Sequence, residues 1–179
     1  MKNVLLISLV LYGLAATLGA EDLTSDQKAK VDAKLAQYAA WGTDPAVVKL
    51  VKAAEATPPA WAADMTQDKW TALSVLSPEI KDMTKNDLAV WLRAKKEDLV
   101  TEIFVSSNTG IKIAFLAKTT SWNHKGKPKH DVPMTGKTWV GAIEADASTG
   151  LKQVQVSFPV LDGGKVIGSI VVGLSLTKL

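Results

Sequence analysis

The 179-residue chain contains no cysteine. Disulfides, thiol nucleophiles, Cys-ligated zinc and a lipid anchor built on cysteine are thereby excluded together. Histidine is almost as scarce, with only His124 and His130, and Arg93 is the single arginine. The net charge of +3 is small and no dense Lys/Arg block occurs, so nucleic acid is not an expected partner. Internal repeats and low-complexity tracts are absent as well. What is present is ordinary for one globular domain with a sizeable core: 47% hydrophobic and 22% charged residues. The aromatic balance is unusual, with six Trp against three Phe and two Tyr.

Lys2 is followed by "NVLLISLVLYGLAATLGA", an uncharged apolar run that ends in small residues before "EDLTSDQK". A basic start, an apolar middle and a small-residue exit mark a secretory signal, here residues 1–20. The rival reading is an uncleaved anchor, because the run falls slightly short of the ~20 apolar residues that span a bilayer. Under either reading, residues 21–179 are expected to work outside the cytoplasm, in the periplasm or as a secreted protein.

Residues 21–99 carry helical periodicity. "TSDQKAKVDAKLAQYAAW" places Val31, Leu35 and Tyr38 on one stripe behind a Thr or Ser cap. "TDPAVVKLVKAAEATPP" has Thr43 or Asp44 as a cap and stops at Pro58-Pro59. "TKNDLAVWLRAKKEDL" is expected to start with Thr84 as its cap and Asp87 three residues on. Its apolar stripe is Leu88, Trp91 and Leu92.

From residue 100 to 179 the period falls to two. "VTEIFVSS" and "IKIAFLAK" flank Asn108-Thr109-Gly110, a hairpin signal. "KTWVGAIEA", "LKQVQVSFPVL" and "VIGSIVVGLSL" follow, the last two joined by "DGGK". The expected fold is α+β, with N-terminal helices on one face of a single antiparallel sheet of about five strands. The terminal strand should lie inside the sheet, because it is the most continuously apolar and lacks edge-protecting charge or proline. Pro159 marks a sheet edge or bulge.

The last hairpin has two unlike faces. Val154, Val156, Phe158 and Val160, with Ile170 and Val172, form an apolar side for the helices to cover. Gln153, Gln155, Ser157, Ser169 and Gly173 form a small, polar side. The polar "TTSWNHKGKPKHDVPMTG" is the segment expected to cover that side, and loops of such length are commonly functional.

His124, His130 and Asp131 lie in this loop near Thr119, Thr120 and Ser121, but nothing resembles a nucleophile elbow or the one-turn spacing of zinc ligands. No catalytic residue, metal site or cofactor is expected. Lys118, Lys125, Lys127, Lys129 and Lys137 crowd the loop and its flanks. Residues 21–100 hold 11 basic against 13 acidic side chains, and residues 101–179 hold 9 against 5. The basic surplus thus belongs to the strand half, as a rim suited to a small anion or simply as a solvated loop. Trp122 in so polar a loop either plugs the sheet or lines a pocket. Trp139 shares a strand face with Gly141 and Ile143 and belongs to core or pocket equally. Trp41, Trp70 and Trp91 read as core.

"EIFVSSNTGIKIAF" and "GKTWVGAIEADASTGLKQVQVSFPVLDGGKVIGSIVVGLSL" resemble the extracytoplasmic PAS-like sensor domains called Cache or PDC domains. The motifs are D-x-S-T-G at Asp146–Gly150, Q-V-S-x-P-V at Gln155–Val160, and G-K-V-I-G-x-x-x-V-G at Gly164–Gly173. The resemblance covers about residues 80–176 and implies a curved antiparallel sheet with long helices on one face. On the other it implies a ligand pocket roofed by the connection between the middle strands. It places Gln153, Gln155 and Ser157 at the pocket floor, and Trp122, His124 and Lys125 in the roof. Many family members that bind carboxylates use a pocket arginine, whereas Arg93 lies on a helix here. The floor offers amides and a hydroxyl, which also suit a neutral or zwitterionic ligand.

Family members are usually followed by a kinase, cyclase or chemotaxis module, and nothing follows Leu179. The expected function is therefore a sensor module that binds a small organic molecule, a carboxylate or amino acid. It would present the bound state to a separate membrane-bound signalling protein. The alternative is a structural or protein-interaction module without a small ligand. A closed loop over the Gln153/Gln155/Ser157 face favours the first, and a flat, open face the second.

Overall fold

The computed structural model describes residues 22–145 and 150–179. The segment read as a secretory signal and all but the last residue of the Asp146–Gly150 motif lie outside the described residues. Helix α1, Ser25–Ala39, opens with a reciprocal cap at Thr24. The Thr24 hydroxyl accepts from the Gln27 amide at 3.2 Å, and the Gln27 side chain accepts from the Thr24 N–H at 3.0 Å. Helix α2, Pro45–Ala56, is capped by Asp44 and ends ahead of Pro58. Three shorter helices follow: α3, Gln67–Ala72; α4, Pro78–Lys85; and α5, Asp87–Lys95.

The expected cap at Thr84 is corrected. Helix α4 runs through Thr84, whose hydroxyl donates to the Ile80 carbonyl at 2.8 Å, one turn back. Asn86 caps α5 in its place, accepting from the Ala89 amide at 2.9 Å. Its amide donates in turn to the Ile113 carbonyl at 2.7 Å, which ties the helix junction to the sheet.

The five strands are β1, Val100–Ser107; β2, Lys112–Phe115; β3, Trp139–Ala145; β4, Lys152–Asp162; and β5, Lys165–Ser175. They form one antiparallel sheet in the order β2-β1-β5-β4-β3. The terminal strand occupies the centre, where both edges of its apolar run are paired. Pro159 faces Ser169 on β5, but β3 begins opposite Ser157, so the side of Pro159 away from β5 has no strand. The Gly42 backbone fills that side; a Cβ there would lie 2.0 Å from the Pro159 carbonyl oxygen.

One sheet face carries the main core. Val154, Val156, Phe158, Val160, Ile170 and Val172 are all fully buried, against Val31, Tyr38, Val47 and Val51 of α1 and α2 and Leu88 and Leu92 of α5. Trp41 is wedged between Tyr38, Trp91 and Phe158 at ring-centroid distances of 4.5, 5.6 and 6.4 Å.

The other face departs from expectation, because the long loop does not cover it alone. Phe104, Phe115 and Val171 point to that side and gather Trp70 of α3 with Ile80 and Met83 of α4 into a second apolar cluster. Trp61 and Trp122 pack on it. The face is therefore not uniformly polar, and the aromatic pair on β1 and β2 needed an apolar cover of its own. Trp70 is therefore core, as read from the sequence, but of a different core from Trp41 and Trp91.

Candidate ligand-binding cleft

Register shifts in the ladder aim the side chains of the second face. Val100 pairs with Leu174 and Glu102 with Gly173, so Thr101 is an extra residue on β1. Val105 pairs with Ala114 and Ser106 with Lys112, which makes Ile113 extra on β2. Val140 pairs with Val156 and Ile143 with Val154, which puts two β3 residues where strict alternation allows one side change fewer. These shifts gather Thr101, Glu102, Lys112 and Glu144 around a cleft of about 220 Å³. Phe104, Gln153 and Gln155 form its floor, and His124, Lys129 and the 116–120 segment form its wall.

Glu102 is the hub of the floor. It accepts hydrogen bonds from the Gln153 amide at 3.1 Å and from the Gln155 amide. Gln153 also donates to Glu144 at 3.2 Å and accepts from Thr101, while Gln155 accepts from the Lys129 ammonium. Three side chains converge on Gly173, where a Cβ would clash with the Thr101 hydroxyl, the Gln153 carbonyl and the Glu102 stem. Only glycine leaves room for that convergence.

Lys112 is fully buried, with its amine 4.1 Å from the centre of the Phe104 ring. It donates to the Thr119 hydroxyl, which itself donates to the Ser121 carbonyl at 3.0 Å. No carboxylate lies within ion-pair distance of it among the described residues. Burial pushes the amine well below its ordinary range; Glu102 opposes this, and the Lys129 and Lys127 charges add to it. His124 also packs on this ring, tilted by 31° at a centroid distance of 4.7 Å. Burial, reinforced by Lys112, Lys127, Lys129 and His130, holds its imidazole far below the usual value and therefore neutral. Its Nδ1 has no hydrogen-bond partner among the described residues.

Of the residues singled out from sequence, Gln153, Gln155 and His124 line the cleft. Ser157 is buried on the same face with its hydroxyl unpaired, but it does not reach the cleft wall. Trp122 packs on the second apolar cluster, 6.5 Å from Trp61, which makes it a plug. Lys125 is exposed, and Lys129 holds the place by the floor. Trp139 faces Ser157, and its ring covers Gly141 away from the cleft. The shared face proposed for Trp139, Gly141 and Ile143 is broken by the register shift, which returns Ile143 to the side of Val154 and turns Glu144 inward.

Thr101, Glu102, Lys112 and Glu144 were not anticipated. A charged residue alternating with Phe104 on β1 was a visible signal for Glu102. Lys112 and Glu144 depend on register shifts that alternation does not reveal.

His130 forms the loop's main tie to the sheet. It lies in the short helix α6, Pro128–Asp131, and its Nδ1 meets the Ser169 hydroxyl at 2.8 Å in a fully buried contact. This Ser–His pair is closed to any substrate, so it acts as a latch for the roof and not as a nucleophile and base. Thr119 and Ser121 bond within their own turn and to Lys112 and Lys127. Among the described residues, no group of three His, Asp or Glu side chains is arranged to hold a metal ion, and no helix is long and apolar enough to cross a membrane.

The fold and cleft together define an α+β domain with a PAS-like sheet, helical cover and a roofed charged cleft, the arrangement that the Cache resemblance implies. No family model matches the chain, and no curated protein matches it significantly. Solved structures that resemble it include sensor and ligand-binding domains. The Vibrio cholerae histidine kinase DctB sensor domain matches at 14% identity and TM-score 0.49, covering 84% of this chain and 52% of that one. The Campylobacter jejuni chemoreceptor Tlp3 ligand-binding domain, in complex with L-valine, matches at 12% identity and TM-score 0.42, covering 84% and 63%. The Pseudomonas aeruginosa amino acid chemoreceptor PctC ligand-binding domain, in complex with GABA, matches at 13% identity and TM-score 0.39, covering 60% and 47%. The chain thus spans about half to two thirds of the length of these structures.

Proposed function

We propose that this protein is an exported sensor module whose cleft binds a small organic ligand carrying a carboxylate, either an organic acid or an amino acid. Its bound state would be read by a membrane-bound signalling partner. The observation that supports this is the cleft itself: amines and carboxylates held apart over buried amides, beneath a latched roof, in about 220 Å³. That volume lies below the ~300–1,000 Å³ of sites for drug-sized ligands, which limits the occupant to metabolite size. Lys112 and Lys129 suit an anionic end, and Glu102 and Glu144 suit a cationic one. Gln155 holds Lys129 and Glu102 in register, so its replacement disturbs both ends.

The test is a thermal-shift screen of organic acids and amino acids on the wild type and Gln155→Leu, with native mass spectrometry for a co-purifying molecule. Leaving a buried donor or acceptor unpaired costs ~1–3 kcal/mol, so Gln155→Leu should weaken binding about 5- to 150-fold. Equal binding by both proteins would place the ligand elsewhere. The protein-interaction reading has one observation in its favour, the exposed Val75 and Leu76 between α3 and α4. It takes over if no compound stabilises the protein.

A further inference from the structure

Lys112 and His124 both line the cleft, and neither has an acidic ion-pair partner among the described residues. Lys112 is wholly buried between Phe104 and Thr119, and that threonine hydroxyl is its single hydrogen-bond partner among the described residues, where an ammonium can make three such bonds. His124 is 3% exposed, and its Nδ1 faces no partner among the described residues. Buried polar atoms are nearly always satisfied, so two adjacent deficits on one cavity wall mark a place completed by something else. Lys112 has unused N–H donors, and a neutral His124 adds another in its Nδ1–H tautomer, so an anionic acceptor such as a carboxylate completes both.

We propose that the anionic end of the ligand seats between Lys112 and His124 and that a proton enters the cleft with it. This rests on the reading of the cleft as a ligand site and adds the ligand's orientation and its linkage to pH. The charges facing this end are Lys127 and Lys129 from the roof, Lys118 beyond β2, Glu102 on β1 and Glu144 on β3. His130 adds its influence on His124 from α6. In the empty cleft the neighbouring lysines and burial disfavour charge on Lys112, and Glu102 offsets only part of this. A carboxylate against the amine reverses the balance, because an opposite charge within about 4–6 Å favours the ammonium. The amine then gains the two acceptors it lacks, and the ligand gains a desolvated charge-assisted bond. By linkage, affinity must fall as the pH rises through the bound-state value of Lys112, since the complex holds the extra proton.

The experiment is NMR on protein carrying 13C at lysine Cε, titrated empty and with acetate, succinate or glycine as a monoanion, dianion and zwitterion. The Lys112 signal is assigned by its loss in Lys112→Met and, should that variant fail to fold, by its nuclear Overhauser contact with the Phe104 ring. In the empty protein it should titrate below every other lysine. Saturation with a probe that binds should move it upward by about 1–3 pH units. Calorimetry in buffers of different ionisation heat should then show net proton uptake.

An empty-state titration in the ordinary lysine range overturns the inference. So does a carboxylate that binds without moving the signal. A neutral ligand that stabilises the protein while all three carboxylates leave Lys112 unmoved removes this inference and keeps the sensor reading. Absence of stabilisation by any compound removes both.

Discussion

Phe158, Gly173 and the two histidines show how single residues divide stability from the cleft. Phe158 is fully buried against Trp41 in the main core, and truncating such a side chain costs ~3–5 kcal/mol. Phe158→Ala should accordingly lower the urea midpoint steeply, and a shift within error would show that this face is not the core. Gly173→Ala tests the opposite face. Its Cβ would meet Thr101, Gln153 and Glu102, and overpacking of this kind costs ~1–3 kcal/mol. The same clash spreads the floor, so loss of ligand stabilisation should accompany the loss of stability.

The histidines add a pH dependence. Burial holds both His124 and His130 below the ordinary imidazole value, and His124 so far below it that the folded protein leaves it neutral while the unfolded chain protonates it below about pH 6.5. The unfolded state then binds more protons, and stability must fall as pH drops from about 7 to 5. His124 contributes up to ~1.4 kcal/mol per pH unit in that window. Urea melts of His124→Gln should show a shallower decline than those of the wild type, and parallel declines would mean that His124 is not buried neutral.

At the level of elements, caps and register shifts had different legibility. Thr24 and Asp44 cap α1 and α2 as their local sequence announces, because a cap is a contact between neighbours in the chain. Thr84 misled because "TKND" contains two capping residues, Thr84 and Asn86. Tertiary contact with Ile113 favours the asparagine, whose amide reaches β2. Asn86→Ala should cost about 1–2 kcal/mol in chemical denaturation, and Thr84→Ala clearly less. The reverse order would restore the Thr84 cap.

Strand existence and the internal place of β5 were legible from period and composition. The register shifts at Thr101, Ile113 and in β3 were not, because an extra residue leaves a period-two pattern readable on both sides while exchanging the faces between them.

For the whole molecule, the roof is the part that ligand should alter. It is tied to the sheet by His130–Ser169 and Lys129–Gln155, and by an isolated bridge between Ile111 and Asn123. The helical face is held by a continuous apolar core. Hydrogen exchange with and without a bound carboxylate should slow in residues 117–137 and stay unchanged in α1 and β4. Protection spread evenly over the domain would argue against a roof that reports occupancy.

The sequence by itself determined an α+β domain, a central terminal strand and an apolar hairpin face against the helices. It also marked a polar face as the place for a site. Each of these follows from periodicity and local burial preference, which adjacent residues carry. Only the tertiary structure decided that α3 and α4 cover part of the polar face and that Trp122 plugs it. It also decided that Lys112, Glu102 and Glu144 stand around the cleft while Lys125 and Trp139 stand away from it. Those placements depend on ladder register and on which distant aromatic surfaces need cover, and both are settled by contacts between segments far apart in the chain.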